Sequence, residues 1–590
     1  MKVNEKKTNL IFSKSTKQLS KKHLNILAGE WLLSSNIKKN YSYKVSKYHW
    51  TKKEKKFKDF KFVEKIYKKT LKSLVLYLNK YHETNYNNRY WEIILFNFLE
   101  RYIFFVYDRW KIIEDIKKKN QLSRVKVFSY PKIFFIQKSC NDFFEILKSC
   151  EWNDWIFSEI IREFSIPNSK IKVIKKNKIE FQYSDFESLN SNLTFLKFKH
   201  LLSIKNKSDY FIKSLDIRSK LEKLKFYFSL KQMFFKYDDL KLNNFKVTKK
   251  RFKLNIFKKT RNKFENFLEK NLQQTLPTNF LEGYKDIIKN LKYLNWPNNP
   301  KIIMTSYDHA YNDPFKIYTA NKTMNGSKLF ILQHGSSGLS DYCGTFYEKK
   351  ICDKYFSWGN KSKDKTIYPT FVTTTVGKKI KKKNPRGILI PIVEASTIPS
   401  KQHVFPRDFS TTKIYKDNLI IFLSKVNKKI LKLSTVKSHT KIFSTLFLDL
   451  FITNDIRSKF PNLQVNDFRK INTRCFEDSV NFKLVVETLN STGFLELLNL
   501  NIPVVLFTPK DFFTVKREYL KFFKLLEDVG IIFFNATKAA NFINKNYDNL
   551  DKWWNSKKLQ NNRKIFCENI CRRRKNPGLF LAQSLKNLSN

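Results

Sequence analysis

Between residues 301 and 534 the chain alternates short apolar runs with stretches of helical period. That alternation restricts it to an α/β fold built on parallel sheets. KIIMTSYDH (residues 301–309), KLFILQHG (328–335) and KYFSWG (354–359) each read as a strand ending in small or polar residues. A second series follows in GILIPIV (387–393), FKLVVE (482–487), IPVVLF (502–507) and GIIFF (530–534). Such runs suit strands covered by helices on both faces. Two successive sets predict two Rossmann-like domains facing each other across a cleft.

The rest of the 590 residues is more helical. The first 22 residues are lysine-rich and read as a disordered basic arm, and LNILAGEWLL (24–33) then reads as a buried strand entering a turn. Phe62, Ile66, Leu71, Leu74 and Leu78 recur at three and four, a helical period that resumes over residues 86–109. KVFSY (126–130) reads as a strand and 140–164 as helix. Residues 165–270 show weak periodicity and read as a helical insertion. The expected organisation is therefore an arm over 1–22, an acceptor domain with a helical elaboration over 23–360, and a linker over 361–385. A nucleotide-type domain over 386–560 and a C-terminal helix over 561–590, crossing back toward the first domain, complete it.

A formal charge of +62 invites a nucleic-acid or anionic-membrane reading, but 42% hydrophobic and 16% aromatic residues place that charge on a folded protein. The excess is mostly lysine scattered through the chain. Arginine, better suited to bidentate reading of bases and phosphates, is scarce, so no specific nucleic-acid partner is expected. A basic protein binding nucleic acid or anionic lipid is the alternative from a different class. The seven cysteines form no paired framework and no secretory signal is evident, so a reducing cytoplasm is expected. Cys567 and Cys571 lie one helical turn apart without partner ligands, and no metal site is expected there. The apolar stretch 93–107 is too short to span a bilayer.

In open parallel sheets, ligands bind beyond the carboxyl ends of the strands, where loops and helix N-termini supply unpaired N–H groups. Gln333, His334 and Gly335 fall at such an end. Gly335 would let the backbone approach a ligand, and His334 would hydrogen-bond it, move a proton, or merely cap the strand. Ser336, Ser337 and Gly338 extend the loop as an anion nest. Tyr307, Asp308 and His309 line another strand end, as cleft residues or as a plain polar loop. In ETLNSTGFLELLNLNIPVVLF (487–507) a strand ends near Glu487 and a helix begins at Ser491 or Thr492. Thr492 and Glu496 share its first face. A nucleotide phosphate at that N-terminus, with Glu496 accepting from ribose hydroxyls, is one reading, and a shifted capping box is the other.

NSTGFLE (490–496) followed by NIPVV (501–505) resembles the donor-site segment of inverting GT-B glycosyltransferases that build bacterial surface polysaccharides. With it go QHG (333–335), Glu348 and CDKYFSWG (352–359). LAGEWLL (27–33), YHW (48–50), LNKYH (78–82), RYW (89–91), DRW (108–110), WIFSEII (155–161) and WW (553–554) stand in order around them. The ordered set resembles a transferase family of O-antigen and surface-carbohydrate gene clusters first defined in spirochaetes. Ser336 departs from it, since the family's loop carries a second glycine there. The resemblance implies a GT-B-like, cytoplasmic glycosyltransferase, inverting and metal-independent, moving sugar from a nucleotide-sugar donor to a surface-polysaccharide or lipid-linked glycan acceptor. No cofactor beyond the activated sugar is implied. His334 and Glu348, then Asp353, are the candidates for general base, while Asn490, Ser491, Thr492, Gly493 and Glu496 hold the donor. Transfer of a polyol phosphate from a CDP-glycerol-type donor is the alternative within enzymes, and a CMP-activated acidic sugar is also compatible. A lipid-linked acceptor adds the expectation of peripheral contact with anionic inner-membrane lipid.

Three parallel sheets form the overall fold

The computed structural model describes residues 7–589 apart from 34, 148, 167–169, 177–192, 202–205, 233–236, 254–261, 340–344, 360–361, 394–399, 402–405, 408, 439–450, 467–472 and 514. Parts of the expected insertion over 165–270, the first residues of the arm and of the linker, and Cys343 lie outside the described residues.

The α/β expectation holds, but three parallel sheets replace the two expected. The first contains β1 (Thr8–Ile11), β2 (Leu24–Leu27), β3 (Tyr43–Val45), β4 (Arg124–Ser129) and β5 (Lys170–Lys175), in the order β3-β2-β1-β4-β5. The second runs consecutively through β6 (Tyr210–Ile212), β7 (Ile302–Thr305), β8 (Lys328–Leu332), β9 (Lys354–Ser357) and β10 (Ile367–Pro369). β11 (Ile388–Ile392) begins the third. After a short antiparallel pair, β12 (Ser400–Lys401) and β13 (Pro406–Arg407), come β14 (Thr435–Ser438), β15 (Gln464–Asn466), β16 (Leu484–Glu487), β17 (Val504–Phe507) and β18 (Ile532–Phe533). The third sheet's order is β15-β14-β11-β16-β17-β18, so both outer sheets reverse direction beside their first strand, as Rossmann-type sheets do.

The reading of residues 1–22 as a disordered arm is corrected at β1. Its four residues TNLI sit between β2 and β4 with Leu10 and Ile11 buried, and the lysines around them conceal so short a strand. The expected linker is corrected as well, because β10 completes the second sheet and Thr370–Thr375 are buried behind it. The N-terminal stretch taken as one domain carries two sheets.

Those two sheets share one core because long helices lie between them. Lys53–His82 and Asn88–Lys119 pack against each other, and the second is buried nearly all round, as a helix apolar on every side must be. Among the described residues no helix is long and apolar enough to cross a membrane. In the second sheet, Ile303, Leu329, Ile331 and Tyr355 point to this helical layer. The alternate residues Ile302, Met304, Phe330, Leu332 and Phe356 point the other way, to a core shared with the helices Lys220–Ser229 and Pro577–Ser589. The last helix thus lies on the second sheet. The third sheet is filled on both faces in the same alternation, Val485 on one and Leu484 and Val486 on the other.

Trp50 and Trp91 are wholly buried, and Trp110 packs among Phe164, Phe264 and Phe267. Behind them Asp108 pairs with Arg109 at 2.7 Å, both buried, and accepts hydrogen bonds from Tyr48 (2.8 Å) and from His49 Nε2 (3.0 Å). Arg109 also donates to Asn153 Oδ1. Arg89 does not join this pair. Truncating one partner strands a buried charge, so Asp108→Ala is expected to lose on the order of 3–5 kcal/mol, whereas Asp108→Leu combined with Arg109→Met loses much less. Denaturant midpoints followed by tryptophan fluorescence check this; equal losses for the two would contradict it.

Candidate functional site

The site forms where the loop after β8 meets the helix after β16. Gln333 holds the loop: its Oε1 accepts from the Trp358 N–H and its Nε2 donates to the Gly335 carbonyl, each at 2.8 Å. The residue is buried, so its amide fastens the end of β8 to the end of β9. Gly335 has φ +75, and a Cβ there would lie 2.8 Å from Thr492 Oγ1, so conformation and space both demand glycine. The next residue, Ser336, donates its N–H to Thr492 Oγ1 at 3.1 Å. His334 is exposed, with Nδ1 3.5 Å from Asp216 Oδ2 and its ring edge-on to Tyr307.

Across this contact, Ser491 caps the helix Thr492–Asn499. Its Oγ accepts from the Phe494 N–H (3.3 Å) and donates to Glu487 Oε2 (3.1 Å). Gly493 is needed because a Cβ there would fall 2.6 Å from Glu487 Oε1. That oxygen and Asn490 Oδ1 are buried and have no hydrogen-bond partner among the described residues. Burial pushes the Glu487 carboxyl up to about 8; the Ser491 hydrogen bond opposes the rise and Glu496 adds to it. Glu496 is also raised by burial, against the pull of Arg474. Its Oε1 accepts from Thr374 at 2.5 Å and pairs with Arg474, so the oxygen expected for a ribose diol is taken by protein partners. Arg218, on the loop after β6, acts electrostatically on Glu496 and on Glu477. Lys437, buried on β14, donates to Thr473 and pairs with Asp478.

The structure brings the loop of Gln333, His334, Gly335 and Ser336 to the helix start of Asn490, Ser491, Thr492 and Gly493 through the contacts of Gly335 and Ser336 with Thr492, and leaves other candidates elsewhere. Glu348 pairs with His309 Nε2 at 3.1 Å, not with His334. His309 is buried and stacked on Phe96, which ties it to the helical layer. Asp353 pairs with Arg89 at 2.6 Å and accepts the Leu329 N–H at 2.7 Å. Those contacts put its carboxylate at the amino ends of β8 and β9, opposite His334. Asp308 accepts from Thr305 and Asn312 at 3.3 Å each, and burial raises its pKa.

Sequence reasoning missed Asp216, Arg218, Thr374, Lys437, Arg474 and the role of Glu487. Asp216 and Arg218 lie in the glycine-free region 165–260, Thr374 in the assumed linker and Lys437 on a strand too polar to stand out. Glu487 alone carried a signal, as the last residue of an apolar strand before a helix cap. Among the described residues no cluster of His, Cys, Asp and Glu is placed to hold a metal ion.

A family profile described as "LIC12162 family transferase" matches residues 8–585. The chain belongs to the LIC12162 family of transferases. The match spans the ordered motifs from LAGEWLL to WW and bears out the expectation of a transferase. No curated protein matches the chain. Among solved structures, one titled "Crystal Structure Analysis of the Glycotransferase of kitacinnamycin" is similar over 50% of this chain and 76% of its own, at 8% identity and a TM-score of 0.27. A likeness at that level carries no argument about this LIC12162 family member.

Glu487 gives the site a pH signature. Its carboxyl, ordinarily at 4.5, titrates at about 8 in the folded protein. Between those values the folded state holds a proton that the unfolded state has lost, so stability falls as pH rises through that window. Glu487→Gln mimics the protonated form and removes the loss. Melting curves at pH 5.5 and about 8.5 are expected to show the variant gaining on the wild type at the higher pH, by about 1 kcal/mol or more.

Proposed function

We propose that this transferase moves a glycosyl group from a nucleotide-activated sugar to an acceptor hydroxyl, with inversion and without a metal ion. The observation that carries the reading is the 3.1 Å contact between Ser336 N–H and Thr492 Oγ1, which joins a histidine-bearing loop to the first turn of a capped helix at two strand ends. A helix start offers N–H groups and a positive dipole end to a phosphate. The Phe494 N–H is taken by Ser491, which leaves the turn around Asn490, Thr492 and Gly493 for the donor. Arg218, exposed on the loop after β6 and within electrostatic reach of Glu496, is the group offered to the leaving nucleotide in place of a cation, while Arg474 and Lys437 are held by Glu496 and Asp478. The reading takes the cytoplasm as the compartment and a surface-polysaccharide or lipid-linked glycan as the acceptor.

In this scheme His334 is the general base. Asp216 stands at Nδ1 and favours the imidazolium that forms when Nε2 takes the acceptor proton. The acceptor oxygen bonds to the anomeric carbon as the bond from that carbon to the phosphate oxygen breaks, and the nucleotide leaves with the electron pair. Glu348 and Asp353, already engaged elsewhere, drop behind His334 for this role.

Thermal-shift measurements with UDP-, GDP-, CMP- and CDP-linked donors test this, because a ligand at a hundred times its Kd stabilises by about 2.7 kcal/mol. One nucleotide class is expected to raise the melting temperature. His334→Ala should keep that rise while transfer falls about 10²–10⁴-fold, and Asp216→Asn should fall less. A rise restricted to CDP-polyols would assign polyol-phosphate transfer instead. Wild-type transfer by His334→Ala, or no response to any nucleotide, would overturn the scheme.

A further inference from the structure

The helix Lys220–Ser229 begins beside the site and carries two apolar faces, of which only one is covered. It starts at the cap residue Ser219, directly after Asp216 and Arg218. Its inner face buries Phe226 and Tyr227, with Leu230 just beyond, in the core shared with Leu581, Ala582 and Leu585 of Pro577–Ser589. The outer face exposes Leu221 (61%), Leu224 (62%) and Phe228 (86%). At 3.6 residues per turn these three fall within an arc of about 60°, with Lys220 on one side and Lys225 on the other. Lys225 also pairs with Glu222 at 2.7 Å, which partly offsets its charge and leaves Lys220 as the more exposed cation on this helix.

The neighbouring helix extends the basic rim. Gly578 donates its N–H to Glu222 at 2.9 Å, so the start of Pro577–Ser589 meets the start of Lys220–Ser229. Arg573, Arg574 and Lys575 lie one residue ahead of it and are all exposed. Three solvated apolar side chains in line cost free energy in water, and cationic flanks on both sides fit a surface that is apolar within and anionic at its boundary. A nucleic acid would use the cations but has no use for Leu221 and Leu224.

We propose that this face docks on an anionic phospholipid bilayer. Leu221, Leu224 and Phe228 enter the boundary between headgroups and acyl chains, and the flanking lysines and the Arg573–Arg574–Lys575 run contact lipid phosphates. Because the same helix starts next to Asp216 and Arg218 and is about 15 Å long, docking would hold a membrane surface within one helix length of His334. That a lipid-linked acceptor reaches His334 by this route rests on the sugar-transfer reading; the docking does not.

Co-sedimentation of the full chain with vesicles of phosphatidylglycerol and phosphatidylcholine, and with phosphatidylcholine alone, tests the proposal. The wild type is expected to sediment with the anionic vesicles only. The Leu221→Ser, Leu224→Ser, Phe228→Ser triple variant should bind at least about tenfold more weakly with an unchanged melting temperature, since each exchange removes exposed apolar surface. Arg573→Gln, Arg574→Gln, Lys575→Gln should weaken binding and flatten its dependence on salt. Wild-type binding by the first variant, indifference to phosphatidylglycerol, or a wild-type dimer that the first variant dissociates would overturn the docking. Thermal shifts with nucleotide donors run on the same proteins separate the two ideas. Stabilisation by nucleotide without vesicle binding removes only the docking, and vesicle binding without any nucleotide response removes only the sugar transfer.

Discussion

The arrangement of the site depends on a seam of buried polar contacts between the second and third sheets. Thr374 donates to Glu496, Thr375 donates to Asn499, and Asn499 donates onward to the Cys571 carbonyl. Arg572 then bridges the Trp358 carbonyl and the Val372 N–H through its own backbone. Around these, Leu339, Trp358 and Val372 of the second unit lie in one apolar core with Phe494 and Leu498 of the third. Each polar group would be costly to leave unpaired, so the seam admits one relative placement of the helix Thr492–Asn499 and the loop after β8. Thr492 can meet Ser336 because everything behind it is fixed.

This accounts for the division of labour among the acidic groups. Glu496 lies inside the seam and is consumed by it, held by Thr374 and Arg474. Glu487, nine residues earlier at the strand end, has only Ser491 on one oxygen among the described residues, so burial dominates and its proton is retained to about 8. Asp353 and Glu348, close in sequence to the glycine-bearing loop, are drawn to Arg89 and His309 by the helical layer. Asp216, remote in sequence, arrives beside His334 because β6 and β8 end on the same side of one sheet. Proximity along the chain predicts little about which carboxylate reaches an imidazole, because strand ends are gathered by topology.

The strongly apolar strands β7, β8, β9, β11, β16, β17 and β18 were legible from residue type alone, and so was the helix cap at Ser491, because burial on both faces and capping leave local signatures. β1, β5, β14 and β15 were not. TNLI, KIKVIK, TVKS and QVN are short or polar, and only pairing with neighbours makes them strands. Residues 370–375, TFVTTT, read as part of a linker because the lysines and Gly377 around them dominate the pattern and the partners of the threonine hydroxyls leave no sequence signal. At the site, Gly335 was legible as a close-approach position, and the approach proved to be to Thr492. The ion pairs were not, since lysine and aspartate are abundant throughout and the sequence offers no means of matching them.

The first and third sheets share the reversal beside their first strand, but the strand ends there are finished differently. In the first sheet the end of β1 is closed by its own loop. Gln18 Oε1 accepts the N–H groups of Phe12 and Ser13, its Nε2 donates to the Lys126 carbonyl, and Ser13 donates to Asp154. Burial lifts Asp154 to about 8, so an acidic group there meets a hydroxyl rather than a ligand. At the corresponding reversal in the third sheet, Asn490 Oδ1 and Glu487 Oε1 have no hydrogen-bond partner among the described residues and lie beside the first turn of a capped helix. Strand order sets where a ligand could sit in either sheet, and the capped helix that starts beside Glu487 and Asn490 makes the third sheet's reversal the place proposed for one.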